Sequence, residues 1–440
     1  MQKHSTPRTS LISECAGIAY FFILSFFPFD ANIIKLLCLL TIIGCWVTKM
    51  LSEKKVLFVK TPLTIPIFSF FLCSLIASLH SALIQDSLGA IVKDYLAYFT
   101  IFFCMVNTIQ GQEQIRRIVK AMLITCGLVC AYGLYGYYTG IAIRDERLVA
   151  TFEYHARIAK YISLFLPIAV CLLFHYKNVL TRLYLTILII VCSFSLILTM
   201  NRTSWVAMFV TMLFIGFAAQ KKLLLCIIVS VCALIVFILP AKFITHAKTI
   251  TQVNKFLDSH KNNILGDRIL CWKASIAIIQ DHPWFGIGPG KKNFRSVYQQ
   301  YAETIRHKER QLKKENTNEL PEQTKGKKKR RLKDIEKLSH AHNIFLHIWA
   351  EAGTVGLLTF LWLFITIFYA SIKAWRLSKA GYEKAFLMGI VASLISIFSH
   401  GLTDSFWKKP EALFLWYIIG IGFVVIHNTS KVQKDEFVRT

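Results

Sequence analysis

Long, nearly uninterrupted apolar runs constrain this chain more than any other feature. A bilayer core takes a helix of about 20 apolar residues, and about twelve such runs follow one another here. Their centres lie near Phe22, Leu40, Phe71, Phe102, Leu128, Phe165, Leu188, Phe209, Ile228, Thr359, Leu394 and Trp416. Apolar residues make up 55% of the chain, 34 residues are Phe, and the mean hydropathy is +0.50. That balance excludes a soluble domain. The expected fold is an all-α polytopic membrane protein. The first run is long for a signal sequence and has no small-residue cleavage site, so it reads as a retained helix.

Lys and Arg in the short connections set the expected orientation. "MLSEKKVLFVK", "QEQIRRIVK", "HYKNVLTR", "QKK", "SIKAWRLSK" and the tail "SKVQKDEFVRT" fall on alternate connections and are basic. They read as cytoplasmic, which puts both termini inside. The connections around Asp30, Asp86, Arg144 to Arg157, Arg202 and Phe406 to Glu411 are then external. Three regions follow: residues 1–239 with nine helices, a large, partly helical periplasmic loop over 240–341, and 342–440 with three helices and a cytoplasmic tail.

The loop contains "KGKKKRRLK", a large share of the formal charge of +26. Long loops cross a membrane whatever their charge. On an external loop this charge points to anionic lipid or glycolipid headgroups rather than nucleic acid. Residues 303–337, rich in Lys, Glu, Gln and Asn, read equally well as a basic, partly disordered insertion that is simply solvated. Of the 12 Cys, only Cys271 falls well inside the loop, so no disulfide framework or paired zinc motif is expected.

One piece of the loop reads as folded. In "GDRILCWKASIAIIQDHPWFGIGPGKKNF", Ile269, Trp272, Ile276 and Ile279 recur at helical spacing, with Asp267 as the expected N-cap and Pro283 as the stop. "GIGPG" fails as a nucleotide-phosphate loop, because Phe285 stands where the first Gly belongs and Lys292 where Ser or Thr would hold magnesium. It reads as a tight turn.

Polar chemistry is concentrated in "SHAHNIFLHIWAEAGTVGLLTFLWLFITIFYA". His342 stands at the mouth of the tenth helix and Asn343 follows it, with the small residues Gly353 and Gly356 further along. Small residues three apart allow a neighbouring helix to approach closely. His342 and His347, five apart, fit a helical zinc pair poorly, and no metal is expected. A lone boundary histidine is open to two readings, polar anchor or proton acceptor. Arg202 defies the usual charge bias and is a functional candidate. Arg268 falls in the expected first turn of the loop helix, where its charge opposes the dipole. Arg157 and Lys160 also read as snorkelling residues. His400 and Asp404, four apart near an outer helix end, read either as site groups or as a structural pair. Glu351 reads as the partner of a buried polar group.

The string of His342, Asn343, nine residues, Gly353, two residues and Gly356 resembles the signature of the bacterial O-antigen ligase family: His, then Asn, Ser or Gln, nine residues, Gly, two residues, and Gly, Thr or Tyr. "TMNRTSW" after the seventh run and the loop-helix segment are similar too. The resemblance covers residues 151–406. The insertion from Lys308 to Lys337 has no counterpart in the family pattern. The resemblance implies metal-independent, cofactor-free, inverting transfer of a glycan from undecaprenyl diphosphate to a sugar hydroxyl of lipid A-core. The reaction would take place at the periplasmic face of the inner membrane, among membrane lipids. His342 would act as base, Arg268 would assist, and Arg202 and Arg157 would hold the diphosphate. Asn343, Gly353, Gly356, His400 and Asp404 would support them. Related O-antigen polymerases and protein O-oligosaccharyltransferases share this architecture. A lipid-linked glycan flippase or transporter is the alternative from another class. It should show repeats and broken helices at the midplane; no halves of this sequence resemble each other.

Overall fold

The computed structural model describes residues 7–55, 58–220, 264–316 and 340–439. Its helices are α1 (Pro7–Phe26), α2 (Asn32–Glu53), α3 (Thr64–Leu79), α4 (Ile84–Ala90), α5 (Leu96–Thr108), α6 (Gln112–Thr139), α7 (His155–His175), α8 (Val179–Leu198), α9 (Arg202–Ala218), α10 (Ile264–Asp281), α11 (Lys291–Asn316), α12 (Ile344–Leu377), α13 (Tyr382–Gly401) and α14 (Glu411–Arg439). A π-helical turn, Ile91–Tyr95, joins α4 to α5. A small antiparallel hairpin, β1 (Ile143–Arg144) with β2 (Arg147–Leu148), follows α6.

Among the described residues, nine helical segments are long and apolar enough to cross a membrane, with α3 and α9 as two shorter apolar helices. Eleven of the twelve expected centres fall on these segments. The run near Ile228 and the "KGKKKRRLK" stretch lie outside the described residues. Residues 303–316, expected to open a solvated insertion, continue α11 as helix.

The bundle is built around α7, which is buried along most of its length and packs on α13, α8 and α9. α13 and α14 are also mostly enclosed, while α2 and α8 lie at the periphery. The core is markedly aromatic. Phe102 and Phe99 stand edge-on to Trp416, and Phe21, Tyr161, Phe165 and Phe414 interlock. A second, smaller core joins α10 and α11 to the start of α12 through Cys271, Ala274, Ile278, Phe294, Tyr298 and Ala350.

The apolar face of α10 differs from the expected one. Ile279 is buried and Trp272 packs on the core as expected, but Leu270, Cys271, Ala274 and Ile278 are buried as well, whereas Ile276 is 47% exposed. The buried face is therefore wider than expected and centred on the small Cys271 and Ala274, which join the core shared with α11 and the start of α12. α10 also begins at Ile264, ahead of Asp267, so Arg268 falls beyond the first turn and the dipole argument for it lapses.

The connections read as external gather at one end of the bundle. There Thr151 bonds the Ser25 carbonyl, Lys409 pairs with Asp94, and Asp86 accepts from the amides of Lys292 and Asn293. Contacts from the basic connections collect at the other end, as in Gln112 to Glu383 and Asn428 to the Gln110 carbonyl.

Candidate functional site

The site begins with a break in α12. Gly353 has φ +68 and ψ −173, a region essentially reserved for glycine. A Cβ there would lie 2.2 Å from the Trp284 carbonyl oxygen. This corrects the reading of Gly353 as a residue for close helix packing: it ends one helical segment and starts the next. The broken turn leaves backbone groups unpaired, and "PWFGIGPG" supplies their partners. Ile287 N donates to Ala350 O (3.0 Å), Gly288 N to Glu351 O (2.8 Å), and Thr354 N to Pro283 O (2.8 Å). Gly286, at φ +67, brings the loop backbone against Ala350 and Glu351 with no room for a side chain. The tight turn expected of "GIGPG" is thus a plug in a split helix. Glu351 is buried, accepts from Gly290 N (3.2 Å) and lies 3.5 Å from His347, as its reading as a buried partner anticipated.

His342 and Asn343 divide the work at the start of α12. Asn343 Oδ1 caps the helix, accepting from Phe345 N (2.9 Å) and Leu346 N (3.0 Å), while its Nδ2 donates to Leu402 O (3.0 Å). One side chain therefore fixes the helix start and ties it to the connection carrying Asp404. His342 sits on the preceding turn at φ +50. Its ring lies beside that of His340, with centroids 4.1 Å apart, and is about one-fifth exposed. Its Nδ1 faces Asp404 Oδ1 at 3.5 Å, just beyond hydrogen-bond range.

Asp404 is the hub. It accepts from His340 Nε2 (3.1 Å), pairs with Lys160 (3.2 Å) and lies 3.6 Å from His400. Burial raises its carboxyl, but the Lys160 charge and the His340 bond outweigh that and hold it well below the usual carboxylate range. Asp404 is thus an anion at neutral pH. Burial lowers the His340 imidazole, and the Lys408 charge lowers it further, more than the Asp404 bond restores. Lys160, open to a snorkelling reading, is a buried counter-ion that also donates to Ser405 O (2.8 Å) and pairs with Glu411 (3.3 Å). His400 is fully buried and shares a bond with Ser204 (2.9 Å), tying α13 to α9.

The arginines separate. Arg268 lies within electrostatic reach of Arg202 and His400, and its buried Nε has no bond to a described residue. Arg202 opens α9 behind the cap Asn201 and senses Arg147 as well. Arg157 is engaged elsewhere: it lies over Phe29 (4.5 Å), bonds Lys409 O (3.4 Å) and stands 3.9 Å from Glu411. It reaches Asp404 only through the chain Glu411, Lys160.

Sequence reasoning left out His340 and Lys408. Lys409 pairs with Asp94 at 3.2 Å, whereas the Lys408 charge acts on Glu351, Asp404 and His340. Burial pushes the Lys408 ammonium down to about 8, with Glu351 and Asp404 opposing the shift. The signal was present: "FWKKP" puts two lysines on an external connection, the same exception that singled out Arg202. Beneath lies an aromatic floor, Trp407 against Phe360 (5.3 Å), Tyr98 (5.6 Å) and Tyr95 (5.8 Å).

Two kinds of chemistry fit this arrangement. His340, His342 and Asp404 offer donor atoms within 4.8 Å of one another and could hold a metal ion. The same atoms form a proton relay, an accessible imidazole backed by a carboxylate, bordered by cations suited to phosphate oxygens.

The family described as O-antigen ligase matches residues 187–361. That range holds Arg202, Arg268, His342, Asn343, Gly353 and Gly356; Arg157, His400 and Asp404 lie outside it. No curated protein matches the chain.

Proposed function

We propose that this chain, whose residues 187–361 match the O-antigen ligase family, transfers a glycan from undecaprenyl diphosphate to a sugar hydroxyl of lipid A-core. The reaction is inverting, needs no metal, and runs at the periplasmic face of the inner membrane with both termini cytoplasmic. One observation carries this reading: Asp404, held ionised by Lys160, backs His342 at a bundle end lined with cations.

The acceptor hydroxyl attacks the anomeric carbon while His342 Nε2 takes its proton. The new C–O bond forms opposite the breaking one, whose electron pair leaves with the diphosphate. Asp404 faces the other ring nitrogen, stabilises the imidazolium, and closes from 3.5 Å to a hydrogen bond as the ring charges. Arg268, Arg202 and Lys408 gather the phosphate charge. Asn343 and the plugged break at Gly353 hold His342 in place, and the floor around Trp407 keeps water from the glycosyl donor.

The test is complementation of a ligase-deficient strain with wild type and His342→Ala, each checked for membrane expression. Wild type should cap lipopolysaccharide, and the variant should lose at least about a hundredfold in attachment while the lipid-linked donor accumulates. Capping by the variant at the wild-type rate overturns the assignment. Altered chain length with attachment intact marks a polymerase, and loss of glycosylated protein an oligosaccharyltransferase. Donor trapped on the cytoplasmic side marks a flippase. Attachment by purified protein should survive a strong chelator; its loss, with recovery on adding a divalent ion, would assign His340, His342 and Asp404 to metal instead.

A further inference from the structure

Three cysteines converge between α6 and α8, and none of them is a residue of the candidate site. Cys126 and Cys130 are one turn apart on α6, and Cys192 meets them from α8. Cys192 Sγ lies 3.8 Å from Cys126 Sγ and 3.7 Å from Cys130 Sγ, and all three sulfurs fall within 4.8 Å of one another. All are buried and none is in a disulfide. Gly127 allows the approach, since a Cβ there would come within 2.9 Å of Leu188 on α8.

Apolar packing accounts for a single buried cysteine in a membrane helix. It does not account for three sulfurs aimed at one point. At a metal–sulfur distance of about 2.3 Å, sulfurs sharing an ion stand about 3.8 Å apart in a tetrahedral arrangement and about 4.0 Å in a trigonal one. Both distances to Cys192, 3.8 and 3.7 Å, meet that requirement, and Cys126 and Cys130 lie within 4.8 Å of each other.

The surrounding hydroxyls add an independent observation. Elsewhere in the bundle, buried Ser74, Ser78, Ser163 and Thr211 return their hydroxyls to the carbonyl four residues back. Ser195, one turn beyond Cys192, does not: its Oγ is fully buried, bonds no oxygen among the described residues, and turns to the Cys130 thiol. The Tyr184 hydroxyl is likewise unbonded and within reach of Cys126 and Cys192. A buried hydroxyl turned to a sulfur forgoes the stronger bond to a carbonyl that its counterparts make. Ser195 stands ready as an oxygen ligand or as a donor to ligated sulfur.

We propose that Cys126, Cys130 and Cys192, with Ser195 beside them, bind one thiophilic ion of the zinc or cuprous class and so staple α6 to α8. Soft thiolate donors select such ions over magnesium or calcium. Binding expels thiol protons as metal–sulfur bonds form. Three thiolates on Zn2+, or two thiolates and one thiol on Cu+, leave the same single net negative charge, with the Ser195 hydroxyl beside it.

The probe is Cd2+, titrated into the purified full chain in lipid nanodiscs and read by its sulfur-to-metal charge-transfer absorption in the near ultraviolet. The imidazole and carboxylate donors of His340, His342 and Asp404 do not produce that band. Wild type should saturate at one Cd2+ per chain and lose the band when Zn2+ or Cu+ is added; the effective competitor identifies the ion. Cys192→Ser should give a weaker band and bind at least about tenfold more weakly, while His340→Ala keeps both. No band in wild type overturns the proposal without recourse to any variant. So does displacement by neither ion, or an unchanged band in Cys192→Ser; the cysteines would then be three thiols in apolar contact only.

Discussion

The two ends of the bundle hold their charges in opposite ways. At the end away from the candidate site, pairs lie open to water: Arg116 and Glu113 are 45% and 72% exposed, and even buried Glu14 is paired with an Arg117 that is 53% exposed. At the site end, Lys160, Asp404 and Glu411 are paired at 3.2 and 3.3 Å with their side chains 6%, 11% and 4% exposed. Exposed pairs contribute little to stability. A buried ionic group contributes no more than a well-packed apolar one would, yet losing one member is severe. A fold selected for stability alone has no reason to bury the second set, and its presence where His342 and the cations meet argues that chemistry required it.

The most damaging substitution should be Lys160→Met, which strands two buried carboxylates. It should cost about 3–5 kcal/mol, read as a lowered unfolding midpoint in detergent, while Arg116→Gln at the far end, whose partner Glu113 is exposed, leaves the midpoint unchanged. Equal losses would erase the contrast. Asp404 adds a pH signature to the comparison. Its folded value lies below an ordinary carboxylate of about 3.9, so its contribution is fully present above that range and is lost only as pH falls through the folded value. The Asp404 contribution should thus be flat from neutrality down to mild acid, so any loss of stability as pH falls below about 6.5 reports the lowered His340 imidazole instead.

Gly353→Ala comes next. Forced left-handed backbone costs about 1–3 kcal/mol, to which the collision with Trp284 adds, and unfolding should drop together with glycan attachment. Gly381 at the opposite end, with extended backbone and open space around it, should accept Ala with neither loss. A tolerated Gly353→Ala would mean that the loop plug is dispensable.

The mildest effect concerns Lys408. Its charge is lost as pH rises through about 8, so at pH 9 about a tenth of it remains protonated. Attachment should decline on that alkaline limb, and Lys408→Arg, which keeps its charge, should hold its rate there. An unchanged limb in the variant would remove Lys408 from the diphosphate site.

Hydropathy made the spans legible because lipid imposes a local rule on each run. The His342 signature was legible because its spacing is fixed along the chain, and in the folded molecule its positions serve as turn, cap and break. The break itself was not legible. An apolar helix with one glycine reads as continuous until the segment from Pro283 to Gly290 is seen filling it. The face of α10 misled because small Cys271 and Ala274 carry little hydropathy yet stand at the centre of the buried face. Lys160 and the cysteine cluster depend on contacts between helices distant in sequence, which periodicity along one helix cannot reveal.

The split in α12 also bears on how the chain is built. Residues 283–290 leave the ribosome well before Gly353, so the piece that completes this helix is made first and must wait for it. When α12 emerges, its gap is closed by a segment already in place, and the two lock in a single step. A rearranged gene that delivered the helix ahead of its plug would expose bare amides and carbonyls during biogenesis, and the order of the chain is in this sense part of the design.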